Sequence, residues 1–283
     1  MARSSILMTI LSLALAGGAR AEKPVTAKSP AAAPAPIAAN PLPAQPAAST
    51  TPTTTPAPAP QLSVEEVVQK ASALVEHKPK KLSCTVSVKA AQLDSDGKPK
   101  ETQETELTET WADGVASQGL PYKRSLDGTP FTAEEMRKAD EDEKKKREEM
   151  KEHEKNGEGG NMESPLTAKQ LARHKFELLR RDTVDGRAVY VLGVRPLSST
   201  PPDDRIVTRE GTIWIDAQTF VPFHAQTHAS PLPNHVDKME LDEEFVLTPQ
   251  GELAPKNMLL DVSGGFLFLR RAFHLETRWR DCK

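Results

Sequence analysis

The sequence predicts a mainly-β α+β protein, in which one large curved antiparallel sheet carries helices on one side. Three observations lead there. Residues 209–226 place Ile213 and Ile215, then Val221, Phe223 and Ala225, at period two on either side of the polar break Asp216-Ala217-Gln218-Thr219, as a half-buried hairpin requires. Similar hairpins follow it to the C-terminus. Only 37% of the chain is hydrophobic, which fits a sheet covered on one face better than a sandwich or an all-round buried core.

The N-terminus is read as a secretory signal peptide over residues 1–21. Arg3 precedes an apolar run over 6–16 and the small-residue site Ala19-Arg20-Ala21, so the mature chain is expected to begin at Glu22 in a periplasmic or secreted location. The run falls short of the roughly 20 apolar residues of a bilayer span, and no later run reaches that length. No stable membrane span is expected after processing. No cysteine adjoins the cleavage site, which excludes lipid attachment there.

Residues 22–61 hold 11 of the 24 prolines together with many alanines and threonines. Few large apolar side chains are present to offset the entropy of ordering, so this proline-rich linker is expected to be a disordered, stiff tether. Residues 62–283 remain, enough for one domain with a sizeable core. Once Arg3 and Arg20 leave with the signal peptide, 35 basic side chains face 40 acidic ones, a net charge of -5. That balance gives no footprint for nucleic acid.

A helix opens this domain. Ser63 and Glu66 form a capping-box pattern, and Val64, Val67, Val68, Ala71, Leu74 and Val75 share one face, which must lie on the sheet. The period then switches to two: Leu82, Cys84, Val86, Val88 and Ala90 alternate with polar residues, and Asp94-Ser95-Asp96-Gly97 turns into a strand ending near Trp111. Residues 126–130 read as turn chemistry. Thr132 and Glu135 cap a helix over 133–155 whose acids and bases stand four apart, the pattern of a solvated helix. A glycine-rich loop over 156–164 and a short helix over 165–175 follow.

Strands resume at Phe176. The pair 176–183 and 187–195 is joined through Val184-Asp185-Gly186, a strong hairpin signal. After the 196–204 loop and the hairpin described first, 239–247 turns through Pro249-Gln250-Gly251 into 256–262. Ser263-Gly264-Gly265 is expected to reverse the chain again into 266–279. Sequential hairpins make a meander with sequence neighbours paired.

The run Val184-Asp185-Gly186-Arg187-Ala188-Val189-Tyr190-Val191-Leu192-Gly193-Val194-Arg195-Pro196, then Gly211-Thr212-Ile213-Trp214-Ile215-Asp216 and Pro222, resembles the outer-membrane lipoprotein-sorting (LolA/LolB-like) superfamily. So does the order of signal peptide, amphipathic helix and meander. That superfamily includes periplasmic sensors of the RseB type and mycobacterial lipid carriers. The resemblance implies an unclosed β-barrel over residues 62–283 whose helix-covered concave face holds acyl chains; the charged helical insertion at about 132–175 and the proline-rich linker depart from the compact carriers of that superfamily. The implied partners are lipid or lipoprotein acyl chains, with an envelope protein as the alternative.

The candidate cavity residues are Ile213, Ile215, Phe223, Phe245, Met258, Leu260, Leu269 and Phe273. Other inward positions are Val221, Met239, Leu241, Leu247, Val262, Leu267 and Leu275. Arg271 interrupts the last inward row. An arginine there belongs at the rim or a bulge, or else at the cavity mouth as partner of an anionic headgroup.

Catalytic motifs of the Gly-x-Ser-x-Gly, His-Glu-x-x-His and Walker types are absent, and no cofactor motif is present. His224, His228, His235 and Asp237 could be drawn as a metal set, but strand spacing does not place His224 beside His228 as a helix would. Cys84 and Cys282 are the two cysteines. They form either a disulfide tying the first strand to the last or a buried thiol and a terminal one. The expected function is that of a non-enzymatic carrier or chaperone for lipid or lipoprotein. The alternative is a sensor or scaffold that meets a protein partner.

Overall fold

The computed structural model describes residues 62–155, 163–197, 207–233, 235–266 and 269–283, with the side chains of 150–155, Phe266 and Leu269 excepted. The expected signal peptide and linker, the 156–162 part of the expected loop, the 198–204 part of the next, residues 205–206, and Leu267 lie outside the described residues.

Helix α1 (Val64–Glu76) begins where the capping box predicts. Ser63 Oγ accepts from Glu66 N–H at 3.2 Å while Glu66 Oε2 accepts from Ser63 N–H at 2.8 Å, and Val67, Val68, Ala71 and Val75 are buried. Then come β1 (Lys81–Leu93), β2 (Pro99–Ala112), β3 (Val115–Gln118), β4 (Lys123–Leu126) and β5 (Thr129–Pro130). Helix α2 (Ala133–Lys155) and the single turn α3 (Ala168–Leu171) lead to β6 (His174–Val184), β7 (Arg187–Pro196) and β8 (Arg209–Asp216). The chain closes with β9 (Pro222–Ala229), β10 (Val236–Leu247), β11 (Leu253–Phe266) and β12 (Leu269–Arg280).

All twelve strands share one antiparallel sheet in the order β5-β4-β2-β1-β12-β11-β10-β9-β8-β7-β6, with β3 beside β2. The sheet is curved and is not closed into a barrel, which is the architecture expected of the sequence. From β6 to β12 it is a meander. It is not one throughout, because β12 pairs with β1, and Thr85 faces Arg280. Nothing local signals that junction; burial of the inward rows on both sides of it sets the register.

One row of side chains crosses ten strands on a single face. It runs Arg124, Thr105, Val88, Thr277, Met258, Glu243, Ala225, Ile213, Leu192, Leu178, each the direct partner of the next. Both main helices sit on this face. Helix α1 packs Val67, Ala71 and Val75 with Leu192, Ile213 and Ile215. At the far end, Glu143 of α2 meets Arg124 of β4.

Three readings need correction, and that of the 126–130 turn needs extension. Ser263-Gly264-Gly265 does not reverse the chain but continues β11, opposite Ala272, Arg271 and Arg270. Glycine is required there by packing, since a Cβ on Gly264 would lie 2.2 Å from His235 O. The short helix over 165–175 is a single turn, because His174 is already drawn into β6. Residues 115–130 form three short strands, their reversals made by Asp113-Gly114 and Asp127-Gly128, all four residues at positive φ. Finally, α2 is not simply solvated: Arg124 binds Asp140 at 2.9 Å and Glu143 at 2.7 Å, and Arg147 donates to Gln118 O at 2.8 Å.

Candidate functional site

The covered face carries two apolar clusters. One lies under α1 and contains Tyr190, Leu192, Ile213, Ile215, Val221 and Leu253. The other spans β1, β2 and β10 to β12 and contains Val86, Leu107, Trp111, Leu241, Met258, Leu260, Leu275 and Trp279.

A buried polar chain occupies the same face on β6, β8, β9 and β10. Arg209, 1% exposed, donates from Nε to Thr227 Oγ1 at 2.8 Å and from Nη2 to Glu243. Its backbone N–H donates to His174 Nε2 at 3.3 Å, and His174 Nδ1 lies 2.8 Å from Gln170 O. A carbonyl can only accept, so Nδ1 carries the proton and the imidazole is neutral. Burial lowers the His174 pKa; the bond to Gln170 opposes this, and the charges of Arg209 and Arg173 lower it further. Gly211 lets β8 run close to β9 beside this chain, since a Cβ there would lie 2.1 Å from Gln226 O. Sequence reading took Arg209 only as a strand start. The signal was available, because Arg209 falls in the period-two row of Ile213 and Ile215, the kind of interruption that drew attention to Arg271.

A second buried carboxylate, Glu109, accepts from Trp279 Nε1 at 2.8 Å. It faces Cys84 across β1 and β2, and Cys84 is bonded to Cys282 as a disulfide. The flanking Ser83 and Lys283 exchange both backbone hydrogen bonds, at 2.9 and 3.0 Å, so the cystine bridges a non-hydrogen-bonded pair where side chains come closest.

A cavity of about 480 Å³ opens where the β6–β7 and β8–β9 turns meet the end of β10. Val221, Phe223, Phe245 and Leu247 supply its apolar lining, and Arg187, Asp216, Gln218 and Thr219 its polar part. Burial works to raise the Asp216 pKa, but N–H groups of Thr219 and Gln218, at 2.8 and 2.9 Å from Oδ1, prevail with help from Arg187 and hold it below the usual value.

The candidate residues therefore fall in four places. Phe223 and Phe245 line the cavity. Ile213 and Ile215 are buried beneath α1, and Met258, Leu260 and Phe273 are buried further along the sheet. Arg271 is exposed opposite Gly264, where β11 meets the start of β10. From Val236, Gly264's partner, to Phe245 at the cavity is nine residues along β10, about 30 Å. The side chain of Leu269 lies outside those described.

On the other face, His224 stacks on Trp214 with centroids 4.6 Å apart and meets Asp242 Oδ1 at 2.9 Å. His228 is opposite Glu210 and Glu240. Among the described residues no group of three or more His, Cys, Asp or Glu is arranged to hold a metal ion, and no helix is long and apolar enough to cross a membrane.

No family model and no curated protein matches the chain. Solved structures to which it is similar include a LolA superfamily protein from Nitrosomonas europaea, at 10% identity over 79% of this chain and 94% of that one, with a TM-score of 0.34. A putative outer membrane lipoprotein-sorting protein domain from Vibrio parahaemolyticus matches at 11% identity over 78% and 93%, with a TM-score of 0.36. The Pseudomonas aeruginosa MucA/MucB complex matches at 11% identity over 76% and 94%, with a TM-score of 0.22. The superfamily that the strand-and-turn motifs resemble is thus represented among them.

Proposed function

We propose that the chain is an exported, non-enzymatic carrier or chaperone that holds acyl chains of a lipid or lipoprotein in the periplasm. The supporting observation is the cavity of about 480 Å³ walled by Phe223, Phe245, Val221 and Leu247 at the end of a one-sided apolar face. Its size lies within the range of about 300–1,000 Å³ usual for small-ligand sites, and its lining, almost as polar as it is apolar, sets Phe223 and Phe245 against Arg187 and Asp216, as an amphiphile requires. The buried cations Arg209 and Arg124 on this face are neutralised within the protein, by Glu243 and Glu143, so that they do not compete for a ligand. Export is inferred from the signal peptide.

Organic extraction and mass spectrometry of the protein purified without detergent test this reading. The expected result is a chain beginning at Glu22 that releases acyl-bearing lipid in near-stoichiometric amount. A lipid-free protein that also fails to bind added phospholipid would overturn it.

A further inference from the structure

We infer that the cavity between the β6–β7 and β8–β9 turns selects a zwitterionic amphiphile, with the phosphate of its head on Arg187 and the ammonium on Asp216. This deepens the carrier reading and rests on it. Among the residues lining the cavity, Arg187 and Asp216 are the charged ones, and they are of opposite sign. An anionic head with no amine would be drawn to Arg187 and repelled by Asp216. A cationic head would meet the reverse. A head carrying both charges satisfies both residues while its chains lie against Phe223 and Phe245.

The state of each residue fits that role. Arg187 is the first residue of β7, set in place by the turn Asp185-Gly186 with φ of 50° and 78°, a geometry that suits a tight two-residue hairpin. Neighbouring arginines of this hairpin are engaged: Arg180 with Asp182 at 3.1 Å, and Arg195 with Glu177 at 2.6 Å. Arg187 is exposed and, among the described residues, makes no hydrogen bond and no ion pair within 4 Å, its charge being felt by Asp216 only at longer range, so its planar guanidinium is available for two-point recognition of a phosphate. Asp216 is fixed by the turn it caps. Its Oδ1 holds the N–H groups of Gln218 and Thr219, which keep the carboxylate charged although it is largely buried. Both charges are thus presented to one cavity from hairpin turns of one sheet.

Calorimetric titration of the full mature chain with dihexanoyl phosphatidylethanolamine and with dihexanoyl phosphatidylglycerol tests the inference, because the two share acyl chains and phosphate and differ in the ammonium. The ethanolamine lipid is expected to bind about tenfold more tightly, the discrimination that a single charge-assisted contact supplies. Asp216→Asn keeps an oxygen for the turn N–H groups but loses the charge, and should bring the two affinities to within about twofold. Arg187→Gln, at an exposed position, should weaken both by about tenfold. Equal affinities in the parent, a preference that survives Asp216→Asn, or unaltered binding by Arg187→Gln would each overturn the inference while the carrier reading stands. Binding of neither lipid would end both.

Discussion

Arg124 on β4 meets Glu143 on α2 at 2.7 Å, with the two side chains only 2% and 5% exposed. A helix rich in charge is thereby clamped to the sheet through a desolvated ion pair. Removing Arg124 leaves the buried Glu143 with one cation, Arg147, in place of two, and frees Asp140. Arg124→Met should therefore cost about 1–3 kcal/mol in urea unfolding and make α2 a site of early proteolysis. An unchanged urea midpoint and unchanged cleavage pattern would show that the pair does not hold the helix.

The Cys84–Cys282 bond closes a loop of 198 residues. On the chain-entropy account a loop of that length corresponds to up to about 5 kcal/mol of constraint on the unfolded chain. Thermal melting of Cys84→Ser/Cys282→Ser should fall well below that of the parent, and reductant should lower the parent's midpoint but not the variant's. Equal melting of parent and variant would place the stabilisation elsewhere.

His174 gives stability a dependence on pH. Its pKa in the fold lies below the unfolded value, chiefly through burial, so the unfolded chain takes up a proton first as pH falls. Its contribution is complete above about pH 6.5 and declines below that, until the folded imidazole also titrates. Arg209 and Arg173 are the cations nearest in charge effect. Denaturation measured between neutral and mildly acidic pH should show this slope, and His174→Gln, which can still donate and accept, should flatten it. An identical slope in the variant would assign it to other groups.

Phe245 is half-buried at the cavity wall rather than in the core. Phe245→Ser should reduce co-purifying lipid severalfold, while costing less than the roughly 3–5 kcal/mol of a fully buried Phe→Ala change. Retention of the full lipid complement would remove Phe245 from the ligand surface.

Much of this architecture was legible because it is local. Asp185-Gly186 gives a tight turn its two positive φ values, and Ser63 with Glu66 gives α1 its start. Period two put Ile213 with Ala225, and Leu260 with Leu275, in apolar rows, and each two are direct partners in the sheet. What local pattern cannot carry is partnership across distance. Gly264 looked like a turn residue because its reason, the approach of His235 O, is 29 positions away. Glu143 looked solvated because its cation, Arg124, belongs to a four-residue strand with no apolar alternation of its own. The candidate site was legible in part for the same reason: Phe223 and Phe245 declare themselves by alternation, whereas Arg187 and Asp216 meet only when two turns are brought together.

The pairing of β1 with β12 also makes time a variable for this protein. Thr85 must wait for Arg280, 195 residues later in synthesis, before the middle of the sheet can be joined. At ordinary translation speeds that delay is roughly 10 to 40 s. Through it β1 has only β2 beside it, and the edge of β1 that β12 will cover stays open to other strands. Completion is thus set by the last strand made: a chain truncated before β12 would leave two half-sheets, each with a bare seam, and should be an aggregating species rather than a smaller working protein.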